Sequence, residues 1–113
     1  MEARIAVTEA ESQVLSALWR YGPLSFASLI EAVKAVQPWG DATIKTLLNR
    51  LIHKGAVRSV KEDGRQRYHP VIDRPTYVDG EIQVLVDRLF AGDIGALRQH
   101  LAAPRTVLTS IGR

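Results

Sequence analysis

Apolar residues recur along most of the chain with a helical period. Val14, Leu15, Leu18 and Trp19 stand at i, i+1, i+4 and i+5, one face of a helix. Ahead of them Thr8-Glu9-Ala10-Glu11 reads as a capping box, in which the Thr8 hydroxyl and the Glu11 carboxylate each satisfy one free amide. Tyr21-Gly22-Pro23 ends this helix. Ser25 caps a second one, whose apolar face is Phe26, Leu29, Ile30 and Val33, until Pro38 and Gly40 break the run. The third helix is the best defined, with Asp41 as its expected N-cap, Gly55 just past its end and Lys54 in the last turn. Ile44, Leu47, Leu48, Leu51 and Ile52 form its apolar stripe, and the opposite side carries Thr43, Lys45, Thr46, Asn49, Arg50 and His53. That polar side holds no acid and no aliphatic residue. It offers hydroxyls, an amide and cations, the groups that bond to phosphates and base edges.

After Gly55 the pattern changes to two β-prone runs, Ala56 to Lys61 and Gln66 to Val71, around Glu62-Asp63-Gly64-Arg65. An Asp-Gly pair in that place predicts a hairpin, and a turn at Asp63-Gly64 sets Ser59 opposite Tyr68 and Val60 opposite Arg67. Three short helices and a basic hairpin make the order of a winged helix-turn-helix, with the third helix in the major groove and Arg65 and Arg67 near the tip of the wing.

From Ile72 onward the helical period returns. Asp73-Arg74-Pro75 is a helix start, and Tyr77, Val78, Ile82, Leu85, Val86, Leu89 and Phe90 cover more than one face behind it. Gly80 costs about 1 kcal/mol inside a helix, which burial has to offset. Ala91-Gly92 ends that helix and Asp93 caps another, with Ile94, Leu97 and Leu101 at i, i+3 and i+7 before Pro104. Two such apolar helices exceed what a small winged domain can cover, so a symmetric homodimer is the expected partner arrangement. Its interface is expected at Tyr77, Ile82, Leu85, Leu89, Phe90, Leu97 and Leu101. The fold class is therefore mainly α with a small β-hairpin: a winged helix-turn-helix DNA-binding domain at 1–72, a helical dimerisation element at 73–103 and a short tail at 104–113.

Composition narrows the function classes. The 113 residues suit one small domain with an appendage, and 46% hydrophobic with 24% charged residues is the balance of a soluble globular protein. No cysteine is present, which removes disulfides, thiolate nucleophiles and thiolate metal sites. No apolar run approaches the roughly 18 residues of a membrane helix, and Met1-Glu2-Ala3-Arg4 does not open a signal peptide, so a cytoplasmic location is expected.

The net charge of +3 is unevenly spread. Between Ala42 and Pro70, Lys45, Arg50, Lys54, Arg58, Lys61, Arg65 and Arg67 face only Glu62 and Asp63, a surplus of five. A polyanion partner explains that surplus; so does a solvated charged face, and charge alone does not separate them. No catalytic constellation is visible: there is no phosphate-binding glycine loop, no His-Glu-x-x-His and no serine nucleophile elbow. His53, His69 and His100 are scattered over three elements, so no metal site and no cofactor is expected.

The string Ala42-Thr43-Ile44-Lys45-Thr46-Leu47-Leu48-Asn49-Arg50-Leu51, followed by Lys54-Gly55 and preceded by Trp39, resembles the penicillinase repressor family of the BlaI/MecI type. Thr8 to Glu11 with Leu18-Trp19, and Asp87 to Gly92 with Gly95-Ala96-Leu97, extend the resemblance over most of the chain. It implies a dimeric winged-helix transcriptional repressor on palindromic double-stranded operator DNA. It also implies contacts from Thr43, Lys45, Thr46 and Arg50 in the third helix and from Arg65 and Arg67 in the wing. Members that answer to β-lactams are cut at an Asn-Phe bond under the control of a membrane sensor protease. Here the like-placed residues are His100-Leu101, and the cysteine pairs of copper-responsive relatives are absent, so neither inducing signal carries over. The alternative reading of the same surface is a winged-helix interaction module that docks an acidic protein.

Overall fold

The computed structural model describes residues 5–103; residues 1–4, Pro104 and the tail lie outside them. The elements run α1 (Glu9–Tyr21), α2 (Phe26–Lys34), α3 (Asp41–Lys54), β1 (Val57–Glu62), β2 (Arg65–Pro70), α4 (Arg74–Phe90) and α5 (Ile94–Ala102). Two compact units divide the chain between Tyr77 and Val78.

In the first unit, local chemistry sets the helix ends. Thr8 caps α1: the Glu11 amide donates to its hydroxyl at 3.1 Å, while the Thr8 amide donates to the Glu11 carboxylate at 3.0 Å. Ser25 caps α2 by accepting from the Ser28 amide at 3.2 Å. At α3 the expected cap is displaced by one residue. Gly40 occupies the N-cap in an extended conformation without a side-chain bond, and Asp41 is the first helical residue. Its carboxylate turns instead to the Lys34 ammonium at the end of α2. There it still places negative charge at the positive end of the helix, so the dipole term survives the change of role.

The apolar stripes meet where the pattern puts them. Val14, Leu15 and Leu18 of α1, Leu29 and Val33 of α2, and Ile44, Leu48 and Leu51 of α3 are buried together, with Ala56 and Val57 closing the core from the hairpin side. Shortening one of the central leucines, Leu51→Ala, costs about 2–5 kcal/mol through lost transfer energy and the cavity left behind.

The hairpin turns at Asp63 (φ 51°) and Gly64 (φ 77°), both left-handed, the conformation that matches the twist of the two strands. Its register pairs Ser59 with Tyr68 and Val60 with Arg67, as the turn predicts. Leu24, in the connection between α1 and α2, bridges to Tyr68, exchanging both backbone bonds at 2.8 and 3.3 Å. The hairpin is thus fastened to the helices at its base and free at its tip. Trp19 adds a second fastening: its indole donates to the Ile72 carbonyl at 2.8 Å, and its ring centroid lies 5.5 Å from that of Tyr77. Tyr77, expected among interface residues, is therefore engaged within the first unit.

In the second unit α4 ends at Ala91-Gly92, both with positive φ, and Asp93 caps α5 by accepting from the Ala96 amide at 3.2 Å. Phe90 lies 5.9 Å from the His100 ring. Val86 is fully buried, whereas Ile82, Val84, Leu89, Ile94 and Leu101 stay 40–64% exposed.

Candidate nucleic-acid interface

The winged unit presents a polar helix face beside a cationic hairpin. On α3 the division is sharp: Ile44, Leu47, Leu48 and Leu51 are buried, and Thr43, Lys45, Thr46, Asn49, Arg50 and His53 are all exposed. Burial of the stripe fixes the rotation of the helix, so these side chains cannot turn inward without exposing four aliphatic residues. Two shallow, open depressions lie along the face. One, of about 330 Å³, is lined by Ala42, Thr43, Thr46, Leu47 and Arg50. The other, of about 420 Å³, is lined by Thr46, Asn49, Arg50, His53 and Lys54. Thr46 and Arg50 border both and so sit at the centre of the face.

Among the described residues Lys45 and Arg50 form no ion pair, which leaves their charges available to an external anion. Lys54 differs. Its ammonium reaches back to the start of the fold, donating to the Ala6 carbonyl at 2.7 Å and to the Glu11 carboxylate at 2.5 Å. The Glu11 side chain is only 1% exposed. Burial pushes its carboxyl pKa up, but the bonds from Lys54 and Thr8 and the Lys54 charge outweigh burial and hold it below the ordinary value of 4.5. Lys54 therefore serves the fold, beyond the favourable helix-end position that its place in the sequence suggested. Only a long-range contact reveals this, since 43 residues separate the pair.

On the hairpin the pairing register places Arg58, Val60 and Glu62 on one face with Arg65, Arg67 and His69. Arg65 is exposed near the tip, and Arg67 keeps 41% of its side chain accessible, with its Nε 3.7 Å from Glu62. The Glu62 carboxylate also meets His69 Nε2 at 3.0 Å. Arg58 and His69 thus join the two wing arginines singled out in the sequence. Strand alternation on the predicted register already contained that assignment.

Comparison with known proteins agrees with this geometry. A model of the penicillinase repressor family matches residues 7–110. The chain belongs to the penicillinase repressor family. That family is one of transcriptional repressors rather than enzymes. The penicillinase repressor of Bacillus licheniformis is 28% identical over 91 residues, covering 80% of this chain and 71% of the relative. The transcriptional regulator BlaI of Mycobacterium tuberculosis is 32% identical over 92 residues, covering 80% of this chain and 64% of the relative. Among solved structures, the monomeric form of Bacillus licheniformis BlaI in complex with the blaP half-operator superposes with a TM-score of 0.60 at 32% identity. That match covers 66% of this chain and 92% of the other. The expected winged-helix fold of the penicillinase repressors is therefore the fold of this chain.

Proposed function

We propose that this chain is a DNA-binding transcriptional repressor that acts in the cytoplasm as a homodimer on a palindromic operator. The exposed face of α3 carries the reading: Thr43, Lys45, Thr46, Asn49 and Arg50 stand clear of the core on a helix that the core holds rigidly. The family membership and the solved BlaI complex with its half-operator support it. α3 enters the major groove, where Thr46 and Arg50, central on the face, read base edges and Lys45 meets the backbone. The hairpin, which carries Arg65 and Arg67, lies over the flanking phosphates. α4 and α5 pair two protomers through Ile82, Leu85, Leu89, Phe90, Leu97 and Leu101. The two recognition helices then address half-sites about 34–36 Å apart, or a multiple of that spacing.

Selection of bound sequences from a random duplex pool, followed by titration of the winner and of random DNA, tests the reading. Enrichment of an inverted repeat is the expected result. Arg50→Ala should weaken the selected site by about 1–3 kcal/mol and random DNA far less. An unenriched pool, together with capture by an acidic protein surface, would turn the assignment to a docking module.

A further inference from the structure

The sequence treats Arg65 and Arg67 alike, but the structure does not. Of the six side chains on their face of the hairpin, Glu62 is the single acid, and it stands directly opposite Arg65 in the register. Its carboxylate does not engage Arg65. It reaches along the strand, one oxygen 3.7 Å from Arg67 Nε and the other 3.0 Å from His69 Nε2. Among the described residues neither Arg58 nor Arg65 forms an ion pair. A phosphate approaching the wing therefore meets Arg65 unopposed, whereas it must take Arg67 from an anion already in place.

We propose that Glu62 is an internal counter-anion of the wing, a positioning residue that keeps Arg67 from the DNA backbone and leaves Arg65 as its phosphate contact. The proposal rests on the DNA-binding reading above. Its consequence appears in the salt dependence of binding. Each phosphate neutralised by a protein cation displaces condensed counterions, and contributes about 0.9 to the slope of log K against log salt on duplex DNA. An arginine whose charge is already balanced by a carboxylate contributes little of this. The Glu62–Arg67 pair is solvent-exposed, with both side chains 41% accessible, so its effect on fold stability is small and its effect on DNA binding can be read separately.

The experiment titrates the full chain with a random-sequence duplex over a salt series, using fluorescence anisotropy. Wild type, Arg65→Ala, Arg67→Ala, Glu62→Gln and the double variant Glu62→Gln/Arg67→Ala are compared, with thermal melts as a control on folding. Arg65→Ala should flatten the slope by about one, and Arg67→Ala should leave it within about half a unit of wild type. Glu62→Gln should steepen the slope by about one and tighten binding several-fold at low salt. Adding Arg67→Ala should cancel that gain. Equal flattening by Arg65→Ala and Arg67→Ala overturns the proposal without any appeal to Glu62→Gln, and so does an unmoved slope in a folded Glu62→Gln protein. Either result leaves the repressor reading standing. A wild type that shows no salt-dependent affinity for DNA removes both.

Discussion

Glu11 is a carboxylate placed where leucines and valines otherwise predominate, and its environment explains how it stays charged. Burial alone raises its pKa; the hydrogen bonds from Lys54 and Thr8 and the Lys54 charge reverse the sign. The group thereby joins the first turn of α1 to the last turn of α3, and the same Lys54 ammonium pins the Ala6 carbonyl ahead of α1. A carboxyl whose folded pKa lies below its unfolded value stabilises the fold at neutral pH. That contribution fades as pH falls through the ordinary value of 4.5 toward the lower folded one. Lys54→Met leaves a buried carboxylate without its cation, and should cost about 1.5–3 kcal/mol at neutral pH by urea denaturation. Glu11→Gln keeps the capping geometry, since an amide can still accept from the Thr8 amide, but removes the titration. The gap in stability between wild type and Glu11→Gln should therefore shrink between about pH 6 and about pH 3. A gap that stays constant over that range would show that this carboxylate does not titrate differently in the two states.

Elements of this fold are decided by short-range chemistry wherever their ends are clear in the sequence. The third helix must stop at Gly55 so that the chain can turn into β1, and Gly55 adopts φ 84°, ψ 10° to do it. A Cβ at this glycine would meet no atom within 4 Å, so a substitution there meets only the backbone penalty. Gly55→Ala is expected to destabilise by about 1–2 kcal/mol, with the chemical-denaturation midpoint lowered and the slope unchanged. A neutral substitution would mean that the helix end shifts to absorb it. The features legible in the sequence share this local origin. The Thr8–Glu11 box spans one turn, the Asp63-Gly64 turn dictates the strand register, and the stripe from Ile44 to Ile52 assigns the exposed side of α3. What stayed hidden depends on the tertiary fold. Lys54 finds Glu11, Trp19 finds Ile72 and Tyr77, and Lys34 draws Asp41 away from the cap that its side chain otherwise suits. Each of these partners lies on a different element, beyond the reach of periodicity or capping rules. The Glu62 contacts fall between the two cases: strand alternation puts Arg67 and His69 on the same face, while the choice of Arg67 over the directly opposite Arg65 depends on side-chain conformation.

At the scale of the whole molecule, α4 and α5 leave large apolar side chains open to solvent. Leu89 is 55% exposed, Leu101 64% and Ile94 48%, on helices where Val86 is the one buried residue among those described. Leaving three such side chains in water forfeits several kcal/mol that association with a like surface recovers, at about 25 cal/mol per Å² of apolar area. A two-fold partner is the simplest source of that surface, because each protomer supplies what the other lacks. Exposure also makes the test clean. In a single chain Leu89→Asp replaces a side chain that faces solvent, so the protomer should keep its stability within about 0.5 kcal/mol, read at a concentration where both proteins are monomeric. Sedimentation at about ten micromolar should then find wild type as a dimer and Leu89→Asp as a monomer, because the carboxylate would be buried unpaired in the interface. The functional consequence follows from geometry. In the proposed dimer, two α3 helices joined in one particle would bind the second half-site intramolecularly, at an effective concentration that raises affinity by about 10²–10⁴. Leu89→Asp should lose that factor on an inverted repeat and keep wild-type affinity for an isolated half-site. A wild type that is monomeric at this concentration, or a variant that binds both DNAs as wild type does, would remove α4 and α5 from the interface and leave the winged unit to bind one half-site at a time.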